Sequence, residues 1–205
     1  MERFIATDML SYLRNNNLIT KHQHGFLSRH STCTQLIETI NDWSFPLENR
    51  FSVHSADLDF AKAFDTVSHH KLIFKLESYG ISGNLRAWIK DFLTNRLQRV
   101  QVGNCLSSLI NVISGLPQGS VLGPILFIIY TNDVSDFCTG SSVTVKLYAD
   151  DAKLFSCIQC ADDMHSLQLG LDFVHNWSLA WQLSLSVTKF AVLQLGRSLG
   201  TASYN

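Results

Sequence analysis

The chain has 205 residues, 46% of them hydrophobic and 16% charged, with a formal net charge of −1. That apolar fraction is enough to bury a sizeable core, as one large domain or two small lobes, and it excludes a disordered chain. The near-neutral balance argues against a free-standing basic nucleic-acid binder, unless positive charge is local or lies outside this sequence.

Met9, Leu10, Leu13 and Leu18 predict an amphipathic helix near the start, ended by Asn15-Asn16-Asn17. Leu36, Ile37 and Ile40 give helical spacing over Thr32 to Trp43, and the pattern breaks into a turn around Pro46 to Arg50. Phe51 to Phe60 reads as a strand, with Val53, Ser55, Asp57 and Asp59 on one face and His54, Ala56, Leu58 and Phe60 on the other. Lys71 to Tyr79 predicts a helix stopped by Gly80, and Leu85, Trp88, Ile89, Phe92 and Leu93 predict a second after Ser82-Gly83. Arg99 to Val102 and Leu109 to Ile113 suggest strands joined through Gly103-Asn104. A Gly-Pro loop, Gly115 to Gly119, precedes the apolar run Val121 to Tyr130, a buried helix with Pro124 near its first turn. Val143, Val145 and Leu147, then Leu154, Phe155 and Ile158, frame a hairpin. Met164, Leu167, Leu171, Val174 and Trp177 mark a long amphipathic helix, and Leu183, Leu185 and Ala191 to Leu195 close with strands. This order fits a mainly antiparallel sheet backed by helices.

The five cysteines, Cys33, Cys105, Cys138, Cys157 and Cys160, are odd in number and irregularly spaced, and no signal-peptide pattern precedes them. They read as reduced thiols of an intracellular protein that is not secreted. Cys157 and Cys160 form a lone C-x-x-C without the second pair a zinc site needs. The run Val121 to Tyr130 is too short for a bilayer, so no membrane partner is expected.

Tyr148-Ala149-Asp150-Asp151 falls at the tip of the hairpin. Adjacent carboxylates repel, and a divalent cation is the usual offset. Asp59 ends the earlier strand; if that strand lies beside the hairpin, Asp59, Asp150 and Asp151 meet at one sheet edge. Oxygen-only ligands favour Mg²⁺ or Mn²⁺, and two such ions can clamp the attacking and leaving oxygens of a phosphoryl displacement. The same aspartates also suit plain turns.

Longer motifs favour the chemical reading. Leu58-Asp59-Phe60-Ala61-Lys62-Ala63-Phe64-Asp65 resembles the first catalytic motif of reverse transcriptases from non-LTR (LINE-type) retrotransposons. Gly115-Leu116-Pro117-Gln118-Gly119-Ser120 and the residues to Pro124 resemble the family's substrate-gripping motif, and Tyr148-Ala149-Asp150-Asp151 its catalytic hairpin. Gln23-His24-Gly25-Phe26 and Ser31-Thr32 resemble its fingers motif; Trp181-Gln182-Leu183, Leu185 and Lys189 resemble the motif behind the hairpin. The ordered set covers nearly the whole chain.

The resemblance implies an α+β right-hand polymerase palm, a ferredoxin-like antiparallel sheet with helices on one face, plus partial fingers. Residues 1–50 are expected as a fingers remnant, 51–67 and 115–205 as palm, and 68–114 as a helical fingers insertion. The implied activity is RNA-directed DNA polymerisation with two Mg²⁺ ions (or Mn²⁺), an RNA template, a DNA primer and dNTPs. Asp59 and Asp150 would hold both metals with Asp151 assisting, and the Phe60 carbonyl would add a ligand. Phe64 matches a steric gate against a 2′-hydroxyl, Gln118 would touch template or base, and Gly119 would admit the nucleotide closely. Lys189 matches a proton donor to pyrophosphate, and Arg29 or His30 would reach the triphosphate.

Several positions depart from the family pattern. His30 stands where arginine usually precedes the Ser-Thr pair, His54 replaces an acidic residue, and Leu27 and Ser186 replace arginine and asparagine. Asp57 stands at an apolar position, where a buried, unpartnered carboxylate costs several kcal/mol. The basic fingers strands, the thumb and the endonuclease of a longer polyprotein are expected to lie outside this sequence. Two alternatives follow: an inactive truncated retrotransposon fragment, or a non-catalytic nucleic-acid-binding remnant. The family's priming habit implies nucleus or cytoplasm.

Overall fold

The structure is a computed structural model that describes residues 1–138, 140–196 and 204. In chain order it contains α1 (Glu2–Asn15), α2 (Thr32–Glu48), β1 (Ser52–Asp59), the short α3 (Ala63–Thr66), α4 (His69–Ser78) and α5 (Gly83–Leu93). Four two-residue strands follow: β2 (Leu97–Gln98), β3 (Gln101–Val102), β4 (Cys105–Leu106) and β5 (Ile110–Asn111). Then come α6 (Gly123–Thr131), β6 (Thr144–Tyr148), β7 (Asp151–Ile158), α7 (Ala161–Trp181) and β8 (Ala191–Leu195).

The elements fall into two compact units, each discontinuous in sequence: residues 1–18 with 62–130, and residues 19–61 with 131–205. The first is helical. Leu72, Leu76, Ile89, Leu93, Leu122, Leu126 and Phe127 are fully buried in it. Lys75 is buried as well; its ammonium donates to the Tyr130 carbonyl and lies 5.5 Å from the centre of the Tyr130 ring. That pairing is what a buried ammonium requires. In this unit β3 and β4 close a hairpin at Gly103-Asn104, nested inside the β2–β5 pair. The sequence suggested a single hairpin through Gly103-Asn104; a second turn of the ladder forms because Ser107 bonds back to Val100 and redirects the chain.

The second unit is built on a four-stranded antiparallel sheet in the order β6-β7-β1-β8. β1 is internal, so its first five residues, Ser52 to Ala56, are all buried and alternation is invisible there. Successive residues of β7 show how the helices pack. Phe155 meets Trp43 of α2 edge-on, with ring centres 5.9 Å apart. Leu154 points the other way, toward Gly170 of α7. α7 buries Leu167, Leu171, Val174 and Trp177, the stripe its sequence predicts. The α+β expectation therefore holds, with α7 backing one face of the sheet and α2 covering part of the other.

α2 departs from its expected end. It runs through Pro46 to Glu48 rather than turning there, because Pro46 sits in the final turn and forfeits only one intrahelical bond. Its start is firm: the Ser31 hydroxyl accepts from Thr34 N–H and the Thr34 hydroxyl accepts from Ser31 N–H. No helix among the described residues is long and apolar enough to cross a membrane.

Candidate functional site

The hairpin and β1 bring the acidic residues together. β6 and β7 pair with Tyr148 opposite Asp151, leaving Ala149 and Asp150 as a two-residue turn. β1 pairs with β7 so that Asp59 lies directly opposite Asp151. Asp59, Asp150 and Asp151 thus gather at one end of the central strands, as expected from sequence.

Burial, then Asp150, then Asp59 push the Asp151 carboxyl above its ordinary value, with Lys189 pulling weakly the other way. Lys189 Nζ lies 2.9 Å from Asp59 Oδ2 and is itself held above its usual range by that bond. Among the described residues no three His, Cys, Asp or Glu side chains are already closed into a metal-binding cluster; Asp59 spends one oxygen on Lys189 instead. An open cavity of about 480 Å³ fronts this edge, lined by Asp57, Asp59, Tyr148, Asp151, Lys153 and Lys189 and by Thr32, Gln35 and Leu36 of α2.

Asp57 is accommodated by a cross-strand partner. It lies opposite Lys153 in the β1–β7 register, and the two side chains form an ion pair. Lys153 is also 5.7 Å from the centre of the Trp43 ring. The Asp57 side chain is 45% exposed, so it escapes the full cost of a buried charge. A double-mutant cycle on Asp57 and Lys153 should give a coupling of about 0.5 kcal/mol, within the range for exposed pairs. A value above about 2 kcal/mol in urea unfolding would contradict this placement.

Phe60, 2% exposed, bridges to Leu185 and packs against Trp177 at 5.8 Å. Arg29 is exposed with a left-handed backbone, φ +69°. His30 Nδ1 lies 3.3 Å from His24 Nδ1, so it is engaged by the fingers-motif segment itself. Phe64, Gln118 and Gly119 belong to the helical unit. There Phe64 stacks on Phe127 at 4.6 Å, and Gln118 Nε2 donates to Asp65 Oδ1 at 2.9 Å. Gly119, φ +79°, has open space where a Cβ would stand.

Two residues of the fingers motif act in a way the sequence reading missed. Gln23, 1% exposed, sends its side-chain oxygen to the Ala149 N–H in the hairpin turn, and Gly25 packs directly against that turn.

All five cysteines are free thiols. Burial and the nearby Asp136 push Cys138 up to about 12, so it has no thiolate character at neutral pH.

Buried histidines give this unit a pH dependence. His24 and His54 are 1% and 2% exposed, and burial lowers both below their ordinary value of 6.5, although Glu38 opposes the shift at His24. As pH falls below that value the unfolded chain takes up protons first. Stability is therefore lost on acidification, by up to about 1.4 kcal/mol per histidine per pH unit. Urea unfolding at pH 7 and pH 5.5 should show the loss, and His54→Gln should reduce it; equal stability at both pH values would refute it.

The residue 1–201 span matches the family model described as reverse transcriptase (RNA-dependent DNA polymerase). The chain is 35% identical over 199 residues to the RNA-directed DNA polymerase from mobile element jockey of Drosophila funebris, covering 93% of this chain and 21% of that protein. It is 30% identical over 207 residues to the Drosophila melanogaster jockey polymerase, covering 98% and 22%. The chain thus spans about a fifth of the length of these relatives. In fold it is similar to the apo telomerase of Candida tropicalis truncated from its C-terminal domain, with a TM-score of 0.70, 12% identity, and 97% and 41% of the two chains covered. A telomerase of Candida albicans, in complex with a fragment of telomeric RNA, matches with a TM-score of 0.66 at 17% identity over 92% and 34%. The match over nearly all of its length shows that the chain belongs to the reverse transcriptase (RNA-dependent DNA polymerase) family.

Proposed function

We propose that the four-stranded sheet belongs to the palm of an RNA-directed DNA polymerase and that Asp59, Asp150 and Asp151 are its catalytic carboxylates. The observation that carries the reading is the register of β1, β6 and β7, which sets Asp59 opposite Asp151 beside the Asp150 turn. The substrates are an RNA template, a DNA primer and dNTPs.

The donor set fits divalent ions of the Mg²⁺ or Mn²⁺ type: every candidate ligand is an oxygen, from the three carboxylates and the Phe60 carbonyl, and two of the carboxylates lie directly opposite each other across β1 and β7. Asp59 and Asp150, with Asp151, would hold them, and the bound ions supply Lewis-acid stabilisation of the charge that develops at phosphorus. The primer 3′-oxygen forms a bond to the α-phosphorus as the bond to pyrophosphate breaks, and the 3′-hydroxyl proton is lost to solvent. Lys189, protonated and already at the edge, supplies a proton to departing pyrophosphate once it leaves Asp59. Thr32, Gln35 and Leu36 of α2 wall one side of the cavity beside these carboxylates. Phe64, braced by Phe127, serves as the gate under the sugar, and Gln118 and Gly119 as the loop that meets the base pair. Arg29 and His30 remain candidate triphosphate contacts. The expected division is fingers at 1–50 and 68–114 and palm at 51–67 and 115–205.

Primer extension on an RNA template with Mg²⁺ tests this reading. Template-dependent products are expected; none with any divalent ion, alongside salt-sensitive primer-template binding, would leave the non-catalytic nucleic-acid-binding reading.

A further inference from the structure

We propose that Gln23 is the positioning residue of the catalytic turn, holding Ala149 so that Asp150 and Asp151 stand beside Asp59 at the end of β1 in a metal-competent orientation. This rests on the reading of those aspartates as metal ligands.

Ala149 occupies the first central position of a two-residue hairpin turn with φ +55°. That left-handed conformation suits glycine and costs a residue with a side chain about 1–2 kcal/mol. The turn needs an external hold. Gln23 provides it, from 126 positions away: its Oε1 accepts from the Ala149 N–H at 3.0 Å and from the Gly25 N–H at 2.7 Å. One carbonyl oxygen thereby uses both lone pairs, in a site from which water is excluded.

The backbone around Gln23 fixes this grip. His24 N–H donates to the Leu147 carbonyl and Leu147 N–H to the His22 carbonyl, each at 2.8 Å, so the segment runs parallel along the outer edge of β6. Gly25 then passes flush against the turn. A Cβ there would stand 2.2 Å from Ala149 N and 2.9 Å from Ala149 Cα, both backbone atoms that cannot swing away. Gln23 pulls on the turn and Gly25 leaves room for it. The peptide that links Ala149 to Asp150 sets the direction of the Asp150 side chain. With the Ala149 N–H released, the turn is free to adopt unstrained alternatives in which the two aspartates no longer stand together beside Asp59. β6–β7 pairing and the core beneath it, Val145, Leu147 and Leu154, do not depend on the Gln23 side chain.

The test uses Gln23→Met, which keeps the volume and removes the acceptor, and Gly25→Ala, which pushes the turn from the same side. Mn²⁺ binding by calorimetry and thermal midpoint are measured on each, with Lys21→Arg, an exposed substitution in the same segment that keeps its charge, as control. Gln23→Met should weaken Mn²⁺ binding by about tenfold, the value of one lost hydrogen bond, and Gly25→Ala should weaken it as well, while Lys21→Arg leaves it unchanged. Lower midpoints with unchanged Mn²⁺ affinity would make Gln23 merely structural and overturn the proposal. Hydrogen exchange on the unmodified chain decides the matter if a variant fails to fold. The Ala149 amide should exchange as slowly as those of β6 and β7, and fast exchange there would also overturn it. Absence of Mn²⁺ binding by the unmodified chain, with Ala149 still protected, would refute the metal-site reading while leaving the Gln23 grip intact.

Discussion

Asp150→Asn should lower RNA-templated primer extension by about 10³-fold, with the fold intact. The replacement is isosteric and sits at a half-buried turn, so packing is little disturbed. It removes one anionic oxygen from a set of three carboxylates at the end of β1 and β7. Charge stabilisation at phosphorus is worth several kcal/mol, and about 1.4 kcal/mol corresponds to a factor of ten in rate. Asp59→Asn should be equally severe, because Asp59 is the partner directly across from Asp151 and also carries the Lys189 contact. The metal-free stability of either variant should hold steady or rise, since like charges are removed. Single-turnover extension measures the first effect and thermal unfolding the second; a loss below tenfold in both variants would mean that these carboxylates do not bear on the reaction.

Gly115→Ala should destabilise the helical unit by about 3 kcal/mol or more. Gly115 has φ +84°, a conformation a side chain resists, and its added Cβ would stand 2.6 Å from the Asp65 carbonyl oxygen and 2.9 Å from Asp65 C and Cα. The position is also a knot of hydrogen bonds. Gly115 N–H donates to the Val67 carbonyl, Leu116 N–H to that of Phe64 at 2.7 Å, and the Gly115 carbonyl lies 2.7 Å from His69 Nε2. Ser114 and Gln118 bond to Asp65 on either side. Displacing Gly115 therefore disturbs Phe64 and the Gln118 loop together. Urea unfolding of the variant should show the loss, and extension should fall even where the variant is still folded; a change under about 1 kcal/mol would show that the loop accommodates the methyl group.

Much of this was legible from the chain alone, for identifiable reasons. α7 announces itself because its apolar periodicity is set by what it buries. The acidic edge was legible because Asp150-Asp151 and Asp59 each sit where a strand runs out. Pro46 misled because a proline in a last helical turn looks, in sequence, like one that ends the helix a turn earlier. α2 shows a different limit: Leu36, Ile37 and Ile40 have helical spacing, yet all three are more than half exposed, so periodicity identified the helix without identifying a buried face. Asp57 looked costly because its strand says nothing of the residue opposite, and Lys153 becomes its partner only through the register of β7. Gln23 and Gly25 were hidden for the same reason at longer range. Their task lies at Ala149, and no local pattern connects the two segments.

The central claim is that Asp59, Asp150 and Asp151 form one divalent-ion site at the end of the sheet. The most direct measurement is a calorimetric Mn²⁺ titration of the unmodified chain, of Asp59→Asn and of Asp150→Asn. The account predicts saturable binding that weakens by at least about tenfold in each variant. Identical titrations for the three proteins would contradict it.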